Sequence, residues 1–168
     1  MTATYIALAN ITLSSGDSEI VFSSIPATYR DLVVVANFQN SGTGSATRLR
    51  LNADTGSNYS GVWMVGFNTS SVSASSEASQ TGARIFGAAN GPVNVFSNVG
   101  IIHIMDYSAT NKHKTVLTRY GTASASGDVQ ATTSRWANTN AVTSVTIYDV
   151  LGQTFVAGST FAIYGIVS

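Results

Sequence analysis

A chain of 168 residues and 17.5 kDa can bury one substantial core without metal or disulfide support, and residues 1–168 read as a single domain. Cysteine is absent, which excludes disulfides and thiolate catalysis. Only 10% of residues are charged, and eight acidic side chains balance eight basic ones; no basic stripe exists to neutralise a run of phosphates, so nucleic acid is not an expected partner.

In chain order, Tyr5–Leu13 is β-prone and lacks the basic region and cleavage pattern of a secretory signal. Residues 1–13 are expected to form a first strand or an extended arm that adds to a neighbouring sheet. Ser14-Ser15-Gly16-Asp17 breaks this run, Ser18–Phe22 starts a second strand, and Pro26, which has no N–H to donate, places a corner over Ser23–Tyr29. Two apolar runs follow, Leu32–Phe38 and Thr47–Asn52, separated by the polar, Gly-rich linker Gln39–Ser45. They are expected to pair as a hairpin. Leu49 and Leu51 alternate with Arg48 and Arg50, which sends the leucines to a core and the arginines away from it. Leu32–Ala36 is apolar at successive positions, as a strand covered on both faces would be.

Asp54–Asn58 supplies the Asp, Gly and Asn of a tight bend, and Gly61–Phe67 is the next strand. Residues 68–82 are nearly all Ser, Thr, Ala and Asn, which predicts a long exposed excursion; 122–133 predicts a second. Between them lie the short β-prone segments Ala83–Phe86 and Asn94–Phe96, the apolar strand Val99–Tyr107, a turn over Tyr107–His113 and a strand over Lys114–Tyr120. Alternation resumes over Thr143–Val150, and Ser159–Val167 is a buried final strand. About ten β-prone runs and no helical stripe longer than a turn or two predict an all-β, antiparallel β-sandwich, with jelly-roll-like connectivity expected. No apolar run approaches the ~18 residues that span a bilayer, so no membrane partner is expected. With so little charge to repel other copies, a homo-oligomer is expected.

Few residues suggest chemistry. Asp54, Ser57 and Asn58 gather oxygens that suit an Asx turn or a hard cation, and the turn is preferred because calcium usually takes more than one carboxylate. His103 and Asp106 lie three positions apart, on opposite faces of a strand, and neither a Gly-x-Ser-x-Gly elbow nor an evident acidic pair accompanies them. No catalytic residue, cofactor or metal is assigned, and the chain is not expected to be an enzyme. Lys112, Lys114 and Arg119 form a small basic cluster that suits a solvated face or an acidic patch on a neighbouring subunit. Trp63, Trp136, Tyr59 and Tyr120 suit a core or a carbohydrate-stacking shelf.

Three stretches, Ile25–Leu32 (IPATYRDL), Leu49–Ser60 (LRLNADTGSNYS) and Ala157–Ile166 (AGSTFAIYGI), resemble a recurring pattern in bacteriophage virion structural proteins, especially those of cyanophages and other aquatic tailed phages. Arg135-Trp136 followed by Ala141–Ile147 is similar to it as well, in the same order; residues 65–130 lie outside the likeness. The resemblance implies a non-enzymatic virion component and carries no catalytic residue. Proteins of this look serve as capsid decoration (cement) proteins or as tail components. The first expectation is a decoration protein that trimerises on the outer capsid surface and locks major capsid protein subunits together. The second is a tail-fibre tip or receptor-binding module in which the polar excursions 68–82 and 122–133 carry host glycan contacts, with Trp63, Trp136 and Tyr120 as the residues whose change would abolish binding. A polysaccharide depolymerase ranks last for want of an acidic pair.

Overall fold

The computed structural model describes residues 4–42, 46–87, 98–122 and 127–167. Twelve strands run in chain order: β1 (Tyr5–Thr12), β2 (Glu19–Phe22), β3 (Asp31–Phe38), β4 (Thr47–Leu51), β5 (Tyr59–Phe67), β6 (Val72–Gln80), β7 (Ala83–Phe86), β8 (Asn98–Met105), β9 (Lys114–Thr122), β10 (Asp128–Trp136), β11 (Val145–Asp149) and β12 (Thr160–Ile166). They form two antiparallel sheets, a large one ordered β1-β12-β3-β8-β9-β10-β5-β6 and a small one ordered β2-β11-β4-β7. The protein is an all-β sandwich, and no helix occurs among the described residues.

Chain order explains the layering. The segments β1, β2, β3 and β4 alternate between the large and small sheets, as do β7, β8, β11 and β12 in reverse; the hairpins β5–β6 and β9–β10 extend the large sheet beyond β8. The N-terminal segment therefore pairs with β12 of its own chain, Ile11 opposite Phe161, as a first strand.

Several expectations are corrected here. Leu32–Phe38 and Thr47–Asn52 do not form a hairpin, because β3 lies between β12 and β8 in one sheet while β4 lies between β11 and β7 in the other. Alternation says which side chains are buried, and Leu49 and Leu51 are fully buried as expected, but it is silent on which layer buries them. Linker residues 43–45 lie outside the described residues; Ser41 before them bonds through its N–H to the Thr154 carbonyl, so the chain leaves β3 for the β11–β12 connection. The segment 68–82 is mostly strand β6, exposed along almost its whole length: a sheet edge is held by backbone bonds and needs no apolar residue to exist. Likewise 128–133 belongs to β10, whose inward Gln130, Thr132 and Ser134 are buried polar side chains. The expected strand Asn94–Phe96 lies outside the described residues. Double coverage of β3 holds for Leu32, Val33 and Val34 and fails at Val35, which is 38% exposed.

The core is aromatic at its centre. Phe38 stacks on Phe86 and Phe161 with ring centroids 5.4 and 5.9 Å apart and meets Phe155 edge-on, while Phe86 stacks on Tyr120 at 5.3 Å. Each buried ring contributes about 1.5–3 kcal/mol by leaving water. Two close approaches need glycine: a Cβ on Gly100 would lie 2.1 Å from Phe86, and one on Gly165 would lie 2.3 Å from Tyr29. Gly100 is in the middle strand β8, where neither backbone nor ring stack can retreat easily. Gly100→Ala is expected to cost about 1–3 kcal/mol in urea unfolding, with part recovered by Phe86→Leu, which shortens the obstructing ring.

Candidate functional site

The bend after β4 is a structural clamp. Asp54 accepts hydrogen bonds at Oδ1 from the Gly56 N–H (2.8 Å) and at Oδ2 from Asn58 Nδ2 (2.9 Å) and Trp136 Nε1 (2.7 Å). Burial pushes its pKa up, but these donors together with Asn138 outweigh that effect and hold the carboxyl below its ordinary range. The lone pairs that a cation would need face N–H donors, which favours the Asx-turn reading of Asp54–Asn58. Among the described residues no group of three or more His, Asp or Glu side chains converges as a metal site would require. Asn52, with left-handed φ of 54°, accepts the Thr143 and Ser144 N–H groups at 2.8 and 3.2 Å and donates to the Ala141 carbonyl.

The aromatic shelf is not assembled. Trp136 and Tyr120 are 1% and 2% exposed on the inward face of the large sheet; Trp136 stacks on Tyr59, and Tyr120 donates its hydroxyl proton to Asn98 Oδ1. Burial pushes the Tyr59 and Tyr120 phenols well above their usual range. Neither Trp136 nor Tyr120 has a free face for a sugar. Trp63 is half-buried, and the Arg84 guanidinium lies 4.5 Å from its ring centroid. These rings came out inward because β10 and β5 place Trp136 opposite Tyr59 and Trp63 opposite Thr132, all on the core side.

The basic cluster also separates. Lys114 is fully buried, its ammonium donating to the carbonyls of Ala109 (2.7 Å), Lys112 (3.0 Å) and Thr139 (3.2 Å). It is a loop-fastening residue and is not available to a partner. Lys112 is exposed and pairs with Asp106 at 2.9 Å, an arrangement worth at most about 1 kcal/mol at a solvated surface. Asp106 is thereby engaged away from His103, and His113 accepts a bond at Nδ1 from Arg135 Nε. Of the three cations, Arg119 alone stands on the outward face of the large sheet, exposed, with no ion pair or side-chain hydrogen bond among the described residues.

That outward face is the feature the sequence reading passed over. The register places Val99, Ile101, Leu117, Val129, Val62 and Met64 on the side opposite the core, and all are between 39% and 65% exposed. Two adjoining shallow grooves of about 470 and 520 Å³ run across it, sharing Met64, Ala131 and Arg119. A signal existed in the sequence: Val99–Met105 and Gly61–Phe67 are apolar at successive positions, and in a two-layer sandwich each strand has only one face to bury. The small sheet differs, with Arg48, Arg50 and Glu19 outward and Arg50 packed over the Tyr148 ring at 3.9 Å. The large-sheet face is broad and mostly apolar, and it carries two exposed arginines, Arg119 and Arg135, of which Arg135 donates to His113 and neither has an ion pair among the described residues. No family model, curated protein or solved structure matches the chain.

Proposed function

We propose that the chain is a non-enzymatic structural protein of a phage particle, a decoration protein that trimerises on the outer capsid surface and reinforces contacts between major capsid subunits. The observation that carries this reading is the outward apolar face of the large sheet, on the wide side of a rigid sandwich. Contact area, and not a cleft with poised acids or bases, is what such a molecule offers. The motif-level resemblance supplies the setting, and the structure gives its residues a physical role: Tyr29 packs against Gly165, Asp54 holds Trp136, and Asn52 holds the 141–144 segment. These contacts join the resembling stretches to one another, so the resemblance tracks the framework of a fold.

Jelly-roll connectivity is part of the same reading. It is supported by the order β1-β12-β3-β8 in one layer opposite β2-β11-β4-β7 in the other, with the two extra hairpins inserted after β4 and β8. Quantifying the protein in purified particles tests the proposal. Hundreds of copies per particle, and shells that lose resistance to heat and osmotic shock when stripped of it, are the expected results. A handful of copies, or stripped shells as robust as complete ones, would overturn it.

A further inference from the structure

The outward face of the large sheet leaves apolar side chains and Arg119 in the open, and another part of the same chain is complementary to it. Six side chains on it, Val62, Met64, Val72, Ile101, Leu117 and Val129, are 39–86% exposed. They present roughly 600 Å² between them, at the upper limit of the largest patch on an ordinary monomer and near the ~800 Å² per partner of a standard interface. A partner must therefore offer apolar surface, together with a carboxylate for Arg119, which lies between the two grooves without an acid of its own.

One place on the same chain offers both. At the free edge of the small sheet, β2 turns Glu19 and Val21 outward; the Glu19 side chain is 51% exposed, and its ion pair with Arg50 is stretched to 3.9 Å. Val21 is 50% exposed and borders a cleft of about 420 Å³ between β1 and β2, whose lining is mixed, with Leu8, Ile11 and Ile163 beside Ser23 and Ser24. Five of the other seven side-chain carboxylates are committed more closely: Asp31 to Arg30, Glu77 to Arg48, Asp106 to Lys112, Asp54 to Trp136 and Asp149 to Asn40, all at 2.7–2.9 Å; Asp128 is half-buried, and the exposed Asp17 stands two residues before Glu19 and accepts its N–H at 3.2 Å, adding to the negative charge of the same edge. A twofold pairing of two large-sheet faces would bring the two Arg119 cations together, and Asp31, which the register places on that side of β3, is buried and paired with Arg30. Joining face to edge uses two different patches, which under cyclic symmetry closes into a ring.

We infer that the β1–β2 edge of one copy, through Glu19 and Val21, seats on the outward large-sheet face of the next around Arg119, in a closed head-to-tail ring. This rests on the reading of the protein as a contact-forming structural component, and it adds which surfaces meet. The test is sedimentation equilibrium of the purified full chain at tens of micromolar, with circular dichroism to verify that each variant is folded. The wild type is expected to be a discrete ring. Arg119→Glu and Glu19→Arg, both at exposed positions, are each expected to weaken assembly about tenfold or more, and the double exchange to restore it.

A monomeric wild type, assembly indifferent to both reversals, or a double exchange that fails to rescue would each overturn the inference. So would a wild type that is monomeric alone and binds capsid shells through Arg119, since another protein would then cover the face. The two proposals fail separately: a monomer present in hundreds of copies per particle would sink the ring, and trimerisation with it, while leaving decoration of the capsid standing, whereas a charge-swappable ring absent from particles would do the reverse.

Discussion

Trp136→Ala is expected to lower the free energy of unfolding by about 3–5 kcal/mol, the cost of deleting a large ring from a core that cannot collapse around the gap. Trp136 is 1% exposed, its ring lies 6.3 Å from that of Tyr59 at an angle of 20°, and its indole N–H donates to Asp54. Trp136→Phe separates the two contributions, since it keeps an aromatic ring and removes a donor to a charged acceptor, worth about 1.5–3 kcal/mol. The second contribution carries a pH signature. Asp54 has a lower pKa folded than unfolded, so its hydrogen bonds stabilise the protein fully above the unfolded value near ~3.9 and lose that effect as pH falls through the folded value. The stability gap between wild type and Trp136→Phe should therefore narrow between pH 7 and pH 3 in urea titrations. An unchanged gap would show that the hydrogen bond to the ionised carboxylate is not what the tryptophan contributes.

Lys114→Ala is expected to cost a similar amount, about 3–5 kcal/mol, for a different reason. Removing the ammonium strands three carbonyls, on Ala109, Lys112 and Thr139, that share the buried Lys114 side chain as donor. Each unsatisfied group costs about 1–3 kcal/mol, and the side-chain cavity adds to the sum. Arginine is not an adequate substitute, because its planar fork cannot direct donors at three converging carbonyls as a tetrahedral ammonium does. Lys112→Ala is the contrast. Its exposed pair with Asp106 should change stability by less than about 1 kcal/mol, so two lysines of the same short turn are expected to differ several-fold in their effects. A Lys114→Ala protein as stable as Lys112→Ala would mean that water enters the loop and satisfies the carbonyls.

Both residues show why residue type alone does not fix a functional assignment. Lys114 and Arg119 stand five residues apart on one strand and share its basic character, yet odd spacing along β9 sends one to the interior and the other to the open face. By residue type Trp136, Tyr120 and Trp63 suit either a core or a stacking shelf; what seats Trp136 and Tyr120 in the core is the partner each meets inside the sandwich, a property of layers that have no trace in local composition. Polar segments misled in the opposite direction. β6 is held by the backbone bonds of β5 with most of its side chains exposed, and β10 buries Gln130, Thr132 and Ser134, so neither shows the apolar rhythm by which strands are recognised.

The sequence by itself determined that the protein is an antiparallel β structure. Period-two alternation at Leu49 and Leu51, the corner at Pro26, the bend at Asp54–Asn58 and the buried final strand are all local consequences of strand geometry and turn chemistry, and local rules suffice to read them. Only the tertiary structure decided that β3 and β4 belong to opposite layers, that Lys114 is interior, and that the second face of β5, β8 and β10 is left open. Pairing partner and sheet membership follow from contacts between residues far apart in the chain, and an apolar side chain looks the same in sequence whether its neighbour is the opposite sheet or a second copy of the protein.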